Sequence, residues 1–123
     1  MWVPDFRKSA LYQRSLDLSH EIYRTVDEDY EKIGEIEAMQ LRKRAVQITK
    51  KITHSLIQQN IKMKYKNLNE SKGELGSLLE QIYQLCNERK IEDWNGFIID
   101  YYADQVMKLI NYSFGKYKKN VEI

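Results

Sequence analysis

The chain has 123 residues, of which 42% are hydrophobic and 31% charged, so it is long enough for one domain and too short for two. Its single cysteine, Cys86, excludes an internal disulfide and a zinc site built from several cysteines, and we expect a cytoplasmic protein. No apolar run approaches about 18 residues, and residues 1–8 lack the pattern of a signal peptide, so we expect neither export nor a membrane span.

Helix-favouring residues dominate the whole chain. Five glycines and one proline leave few forced breaks, and Leu, Ile, Glu, Lys, Gln and Arg are abundant. Apolar residues recur at helical spacings in four segments. The sequence therefore predicts an all-α fold, an antiparallel up-down-up-down four-helix bundle with a loose C-terminal tail. The predicted helices cover about 9–27, 34–62, 68–89 and 93–114.

The second to fourth predicted helices differ in their pattern. The second has the most regular apolar stripe, whose members are Ala38, Leu41, Ala45, Ile48, Ile52 and Leu56. As one continuous helix it would be about 40 Å long. The third contains Gly73 and Gly76, which we interpret as positions where another helix packs closely. In the fourth, Gly115 predicts the C-terminal end.

Charge is distributed unevenly along the chain. From Gln40 to Lys66 there are eight Lys and Arg residues and no Asp or Glu, whereas the remaining chain has 12 Lys and Arg against 18 Asp and Glu. On a helical wheel one arc of about 120° flanks the core stripe and carries Lys43, Arg44, Lys50, Lys51, His54 and Lys62, an arrangement typical of a phosphate-binding face. The residues predicted to bind nucleic acid are Arg42, Lys43, Arg44, Lys50, Lys51, His54 and Lys62. Two alternatives stay open: pairing with the acids of residues 27–37 in a neighbouring subunit, and plain solvation.

The fourth predicted helix has more apolar surface than one core requires. Apolar residues occupy most of its circumference, beyond the stripe of about 100° that a surface helix needs. Half of the 14 aromatic residues follow position 93, and Tyr and Trp are enriched at protein interfaces. The residues predicted to form an oligomer interface are Trp94, Phe97, Tyr101, Tyr102, Val106, Ile110 and Phe114. The alternative is that this helix is the central helix of an irregular bundle.

The sequence contains no recognisable catalytic or metal-binding motif. The two histidines, His20 and His54, lack the paired Glu-x-x-His spacing of di-iron bundles, and no phosphate-binding glycine loop or nucleophile motif occurs. We therefore expect a protein that is not an enzyme and that holds neither a metal nor another cofactor. Cys86 is expected to be a buried, unreactive thiol.

Three segments resemble one protein family. Residues 11–23 (LYQRSLDLSHEIY), 40–48 (QLRKRAVQI) and 71–79 (SKGELGSLL) are similar to the first three helices of the bacterial four-helix-bundle proteins encoded in intervening sequences of large ribosomal RNA genes. That family includes the accessory variability determinant proteins of diversity-generating retroelements, which form pentameric barrels and bind nucleic acid and a reverse transcriptase. The resemblance implies a homopentamer with RNA or DNA and a reverse transcriptase as partners, and with Arg42 and Arg44 as basic residues of the second helix.

The chain departs from the family pattern within the second helix. At residues 48–55 it has ITKKITHS where many members have IPANIAEG, so it lacks the kinking proline and has Lys50, Lys51 and His54 instead. This difference predicts a straighter and more basic helix. We therefore expect a non-catalytic nucleic-acid-binding scaffold, an accessory subunit of a reverse transcriptase. The alternative is a protein-only oligomeric adaptor that binds a partner polypeptide through exposed apolar surface.

Overall fold

The computed structural model describes the backbone of residues 5–121 and the side chains of residues 5–116. Within this range there is no β-strand, so the prediction of an all-α protein is confirmed for the described residues. The elements are a 3₁₀ turn at Phe6–Lys8 and the helices α1 (Ala10–Glu28), α2 (Tyr30–Ile33), α3 (Glu35–Ile57), α4 (Ile61–Asn87) and α5 (Asp93–Val121). No helix in this part of the chain combines the length and the apolar character that crossing a membrane requires.

Each of the four long helices packs against two others, because α1 and α4 both contact α3 and α5. Two ion pairs between α3 and α4 show the order in which these helices meet. Arg44 lies 3.5 Å from Glu74, and Lys51 lies 2.7 Å from Glu70, so later positions of α3 meet earlier positions of α4. The shared core is aliphatic, and its fully buried members include Leu18, Ile22, Leu41, Ile48, Leu75, Ile82, Ile99 and Val106.

The boundary between the second and third long helices lies earlier in the chain than the apolar pattern predicts. α3 ends at Ile57, not near residue 62, and α4 begins at Ile61, not near residue 68. The cause is Asn60, whose side-chain oxygen accepts a hydrogen bond at 3.1 Å from the backbone N–H three residues later and so caps α4. α3 is therefore about 35 Å long instead of 40 Å. Lys62, predicted on the second helix, lies in the first turn of α4.

The predicted end of the last helix is also wrong. α5 continues through Gly115 to Val121, so the residues expected to form a loose tail are helical as far as position 121, and residues 122–123 lie outside the described range. A glycine inside a helix costs about 1 kcal/mol relative to alanine, which is too little to end a helix that is anchored by packing. Just before Gly115, the ring of Phe114 packs on Tyr65 of α4 with the centroids 4.7 Å apart.

Two glycines have roles that differ from the predicted ones. A Cβ atom added at Gly73 or Gly76 would meet nothing within 4 Å, so the prediction of close helix packing at these positions is wrong. The close approach occurs at Gly96, where a Cβ atom would lie 2.5 Å from the sulfur of Cys86. Gly96 therefore lets α5 pack tightly on α4. The short helix α2 ends at Ile33 and is followed by Gly34, whose φ of +87° favours glycine.

Candidate nucleic-acid interface

The outward surface of α3 carries three exposed basic side chains, those of Lys43, Lys50 and His54. Among residues 5–116, none of the three has an ion-pair or hydrogen-bond partner. They span about 16 Å along the helix axis. Beside them lies a shallow groove, which is lined by Gln40, Lys43, Arg44, Gln47 and Glu74. We call Lys43, Lys50 and His54 the basic face.

Two other predicted cations of α3 point sideways and pair within the chain. Arg42 donates a hydrogen bond to Asp27 of α1 at 2.8 Å. Arg44 turns to the opposite side, where it donates to Gln81 of α4 at 3.0 Å and lies 3.5 Å from Glu74. These two guanidinium groups therefore bridge α3 to its neighbours and do not extend the basic face.

Lys51 is the third predicted cation that is paired. Its ammonium group lies 2.7 Å from a carboxylate oxygen of Glu70, and this hydrogen bond lowers the pKa of Glu70 below its ordinary value. The predicted cationic arc is therefore partly neutralised, because carboxylates of α4 pair with Arg44 and Lys51. Surface ion pairs contribute only about 0–1 kcal/mol, so a phosphate group can compete for these cations at little cost.

A second group of cations lies where α4 begins and α5 ends. Lys62, Lys64 and Lys66 occupy the first two turns of α4, which contain no acidic residue, and Lys116 comes from α5. Burial lowers the pKa of Lys64, and the nearby charge of Lys116 lowers it further. Cations at a helix N-terminus also oppose the positive end of the helix dipole. We call these four lysines the basic end; its positive charge attracts anions.

An exposed aromatic ring lies among these lysines. Tyr65 is 44% exposed and packs on Phe114 with an interplanar angle of 33°. The ammonium group of Lys72 lies 5.7 Å from the centroid of the Phe114 ring. The residues predicted to bind nucleic acid did not include Tyr65, Lys64 or Lys116. Lysines alternate with other residues around Tyr65 at positions 62–66, and this pattern could have indicated Tyr65 and Lys64 from the sequence. Lys116 is distant in the sequence and comes near them only through the packing of α5 on α4.

The opposite end of the molecule is rich in acids that have partners. Asn95 at the start of α5 donates a hydrogen bond at 2.8 Å to Glu28 at the end of α1. Lys90, just after α4, lies 3.4 Å from Glu37 of α3. The last turn of α1 contains no basic residue. The helices therefore have a cationic end and an acidic end, a polarity that the separate charge runs of the sequence do not reveal.

The outward surface of α5 carries large apolar rings. Trp94 is 69% exposed and Phe97 is 65% exposed, and the two rings are stacked with their centroids 6.0 Å apart. Tyr101, one turn further on, is also exposed. We call Trp94, Phe97 and Tyr101 the aromatic strip. Large exposed apolar groups that lie together are typical of a surface that another molecule covers.

The other residues of the predicted oligomer interface face inward. Val106 and Ile110 are 0% exposed and belong to the core, so their assignment to an interface is wrong. Tyr102 and Phe114 are half-buried and pack against the same core. The wheel of α5 did not separate the two groups because apolar residues surround most of the helix.

The described residues contain no group of three or more His, Cys, Asp or Glu side chains placed to hold a metal ion. Cys86 is half-buried, not fully buried as expected. Burial raises the pKa of its thiol, and the negative charges of Asp93 and Asp29 raise it further. The thiol is therefore protonated near neutral pH and is a poor nucleophile.

The resemblance to the ribosomal-RNA intervening-sequence proteins stays a prediction from residues 11–23, 40–48 and 71–79. Comparison with known protein families finds no match to this chain, and neither a curated protein nor a solved structure matches it.

Proposed function

We propose that this protein is a non-catalytic scaffold that binds nucleic acid through the basic face of α3. The observation that carries the proposal is that Lys43 and Lys50 are exposed on one side of a rigid helix and have no acidic partner among residues 5–116. Lysines in such an arrangement neutralise phosphates and release the counterions bound to them. In the adjoining groove, the amide of Gln47 and the NH2 group of Gln40, whose Oε1 already accepts a hydrogen bond from Gln81, add hydrogen-bonding groups for phosphates or base edges.

The proposal also includes the assembly of the chain. The opposite order of contacts between α3 and α4 supports an antiparallel up-down-up-down bundle, and the aromatic strip supports self-association. The pentameric state and a reverse transcriptase as protein partner rest on the family resemblance alone. Repeated copies of one basic face would bind a single polyanion more tightly than one copy does. Mass measurement in solution, together with co-purification with a reverse transcriptase encoded by a neighbouring gene, tests both points.

The decisive experiment compares two charge reversals of equal size. Binding of a fluorescently labelled oligonucleotide is measured for the wild-type protein, for Lys43→Glu/Lys50→Glu, and for the control Lys32→Glu/Lys108→Glu. In the control, both lysines are exposed and paired with acids on other surfaces. We expect the first variant to lose about 100-fold in affinity and the control to lose much less. Equal losses would mean that only the net charge matters and would contradict a dedicated face.

A protein-only adaptor is the second candidate function, and the aromatic strip is the observation that favours it. Apolar rings of this size bind a protein partner more readily than a phosphate chain. A partner polypeptide would have to stay bound after nuclease treatment and to the Lys43→Glu/Lys50→Glu variant. Its release by Trp94→Ser/Phe97→Ser would then assign binding to the strip.

A further inference from the structure

We infer that the basic end takes single-stranded nucleic acid, with one base stacked on the exposed ring of Tyr65 and the flanking phosphates held by the lysines around it. This inference rests on the proposed function, and it specifies the class of nucleic acid. The basic end lies beside the basic face, because the last residue of α3 and the first residue of α4 are only four positions apart in the chain.

The ring of Tyr65 is suited to stacking because its position is already fixed. One side packs on Phe114 at a centroid distance of 4.7 Å, yet 44% of Tyr65 remains exposed. Phe114 is in turn held near the ammonium group of Lys72, which donates a hydrogen bond to Asn111 at 3.2 Å. Because the ring is already held in place, stacking of a base on it costs little side-chain entropy.

The lysines around the ring supply charge that favours a phosphate. On α4, Lys62 lies about one turn from Tyr65 on the same side of the helix, whereas Lys64 and Lys66 are each rotated about 100° from Tyr65. Burial lowers the pKa of Lys64, and the positive charge of Lys116 lowers it further, so these two cations lie close enough to repel each other. A phosphate bound between like charges relieves this repulsion. Residues 57–69 contain no Asp or Glu, and the next acid is Glu70, whose pKa is lowered by its hydrogen bond from Lys51 and, to a smaller extent, by the charge of Lys66.

The distribution of aromatic rings favours a single strand over a duplex. α3 contains no Phe, Tyr or Trp, so its basic face offers only polar contacts, which either form of nucleic acid can make. In a duplex the faces of the bases are covered by neighbouring bases, whereas a single strand leaves them free to stack on an aromatic side chain. Stacking on Tyr65 therefore favours a single strand over a duplex, whereas the lysines bind the phosphates of both.

The test uses three probes: a short oligothymidylate, an abasic strand of the same length and backbone charge, and a duplex of that length, whose backbone charge is about twice as large. For the wild-type protein, we expect affinity for the oligothymidylate to exceed that for the abasic strand by about tenfold. Tyr65→Leu should remove this difference and leave binding of the abasic strand and of the duplex unchanged. Tyr65→Trp should keep the difference, since it retains a stacking ring. Tyr23→Leu, at an exposed tyrosine of α1, is the matched control and should behave as wild type.

The outcomes separate this inference from the proposed function. If the wild-type protein binds the oligothymidylate and the abasic strand equally well, the inference is wrong, while the proposed function stands on phosphate contacts. A preference for bases that survives in Tyr65→Leu also overturns the inference, because another group then makes the contact. If none of the three probes binds, both proposals fail. The wild-type comparison needs no substitution, so a folding defect in Tyr65→Leu leaves the test intact.

Discussion

The outward faces of α3 and α5 both carry side chains that one core does not need, but their chemistry is opposite. On α3, Lys43 and Lys50 are charged and exposed, and they lack acidic partners among residues 5–116. On α5, Trp94 and Phe97 are apolar, stacked on each other and more than half exposed. Solvated cations suit a polyanion, whereas exposed rings suit another protein surface. We therefore propose different functions for the two faces, nucleic-acid binding for α3 and assembly for α5, and we expect mutations to remove them independently.

The largest expected effect distinguishes the inward side of α5 from its outward side. Ile110→Ala should lower the free energy of unfolding by about 2–5 kcal/mol, because it opens a cavity among fully buried side chains. The matched change Tyr112→Ala, at an exposed ring two residues later, should change it by about 0.5 kcal/mol or less. Denaturant unfolding measures both values. Similar losses for the two variants would mean that α5 is oriented differently in the bundle.

The second prediction concerns a double substitution that should prevent assembly and leave the basic face intact. Trp94→Ser/Phe97→Ser should reduce the mass seen by sedimentation to that of one chain, while the helical content stays the same. Affinity for a long nucleic acid should fall because avidity is lost, but binding of a short oligonucleotide by one chain should persist. A variant that keeps the wild-type mass would show that the aromatic strip does not hold the subunits together.

The smallest expected effect tests whether a paired cation of α3 binds phosphate once its acidic partner is removed. Glu70→Gln removes the carboxylate that holds Lys51, so we expect affinity for nucleic acid to rise by about threefold through one additional phosphate contact. The pKa of Glu70 is lowered, so the pair exists near neutral pH and is lost as the pH falls through that lowered value. The gain from Glu70→Gln should therefore shrink at acidic pH. An unchanged affinity at neutral pH would show that Lys51 does not reach the phosphates.

The helical class and most of the core of this protein follow from apolar spacing alone. Along α3, the positions of the predicted stripe from Ala38 to Ile52 are buried, because burial on one side of a helix imposes its period on the sequence. The break after Ile57 was missed since helix-favouring residues continue on both sides. It depends on one capping hydrogen bond from Asn60, which periodicity does not report.

The site was less predictable than the fold because it depends on contacts between distant residues. The cationic character of residues 40–66 is evident from the sequence, but the neutralisation of Lys51 requires Glu70 on the next helix. The proximity of Lys64 and Lys116 likewise exists only after α4 and α5 have packed. A helical wheel treats each helix as isolated, so it overestimates the charge that remains free.

The salt dependence of binding tests the central claim most directly. For the wild-type protein, the logarithm of the association constant should fall linearly with the logarithm of the salt concentration, by about 0.7 to 0.9 for each phosphate neutralised. Replacing Lys43 and Lys50 with Gln should remove two contacts and reduce the magnitude of the slope by about 1.4 to 1.8. An identical slope for the wild-type protein and this variant would contradict the claim that the basic face binds the phosphates.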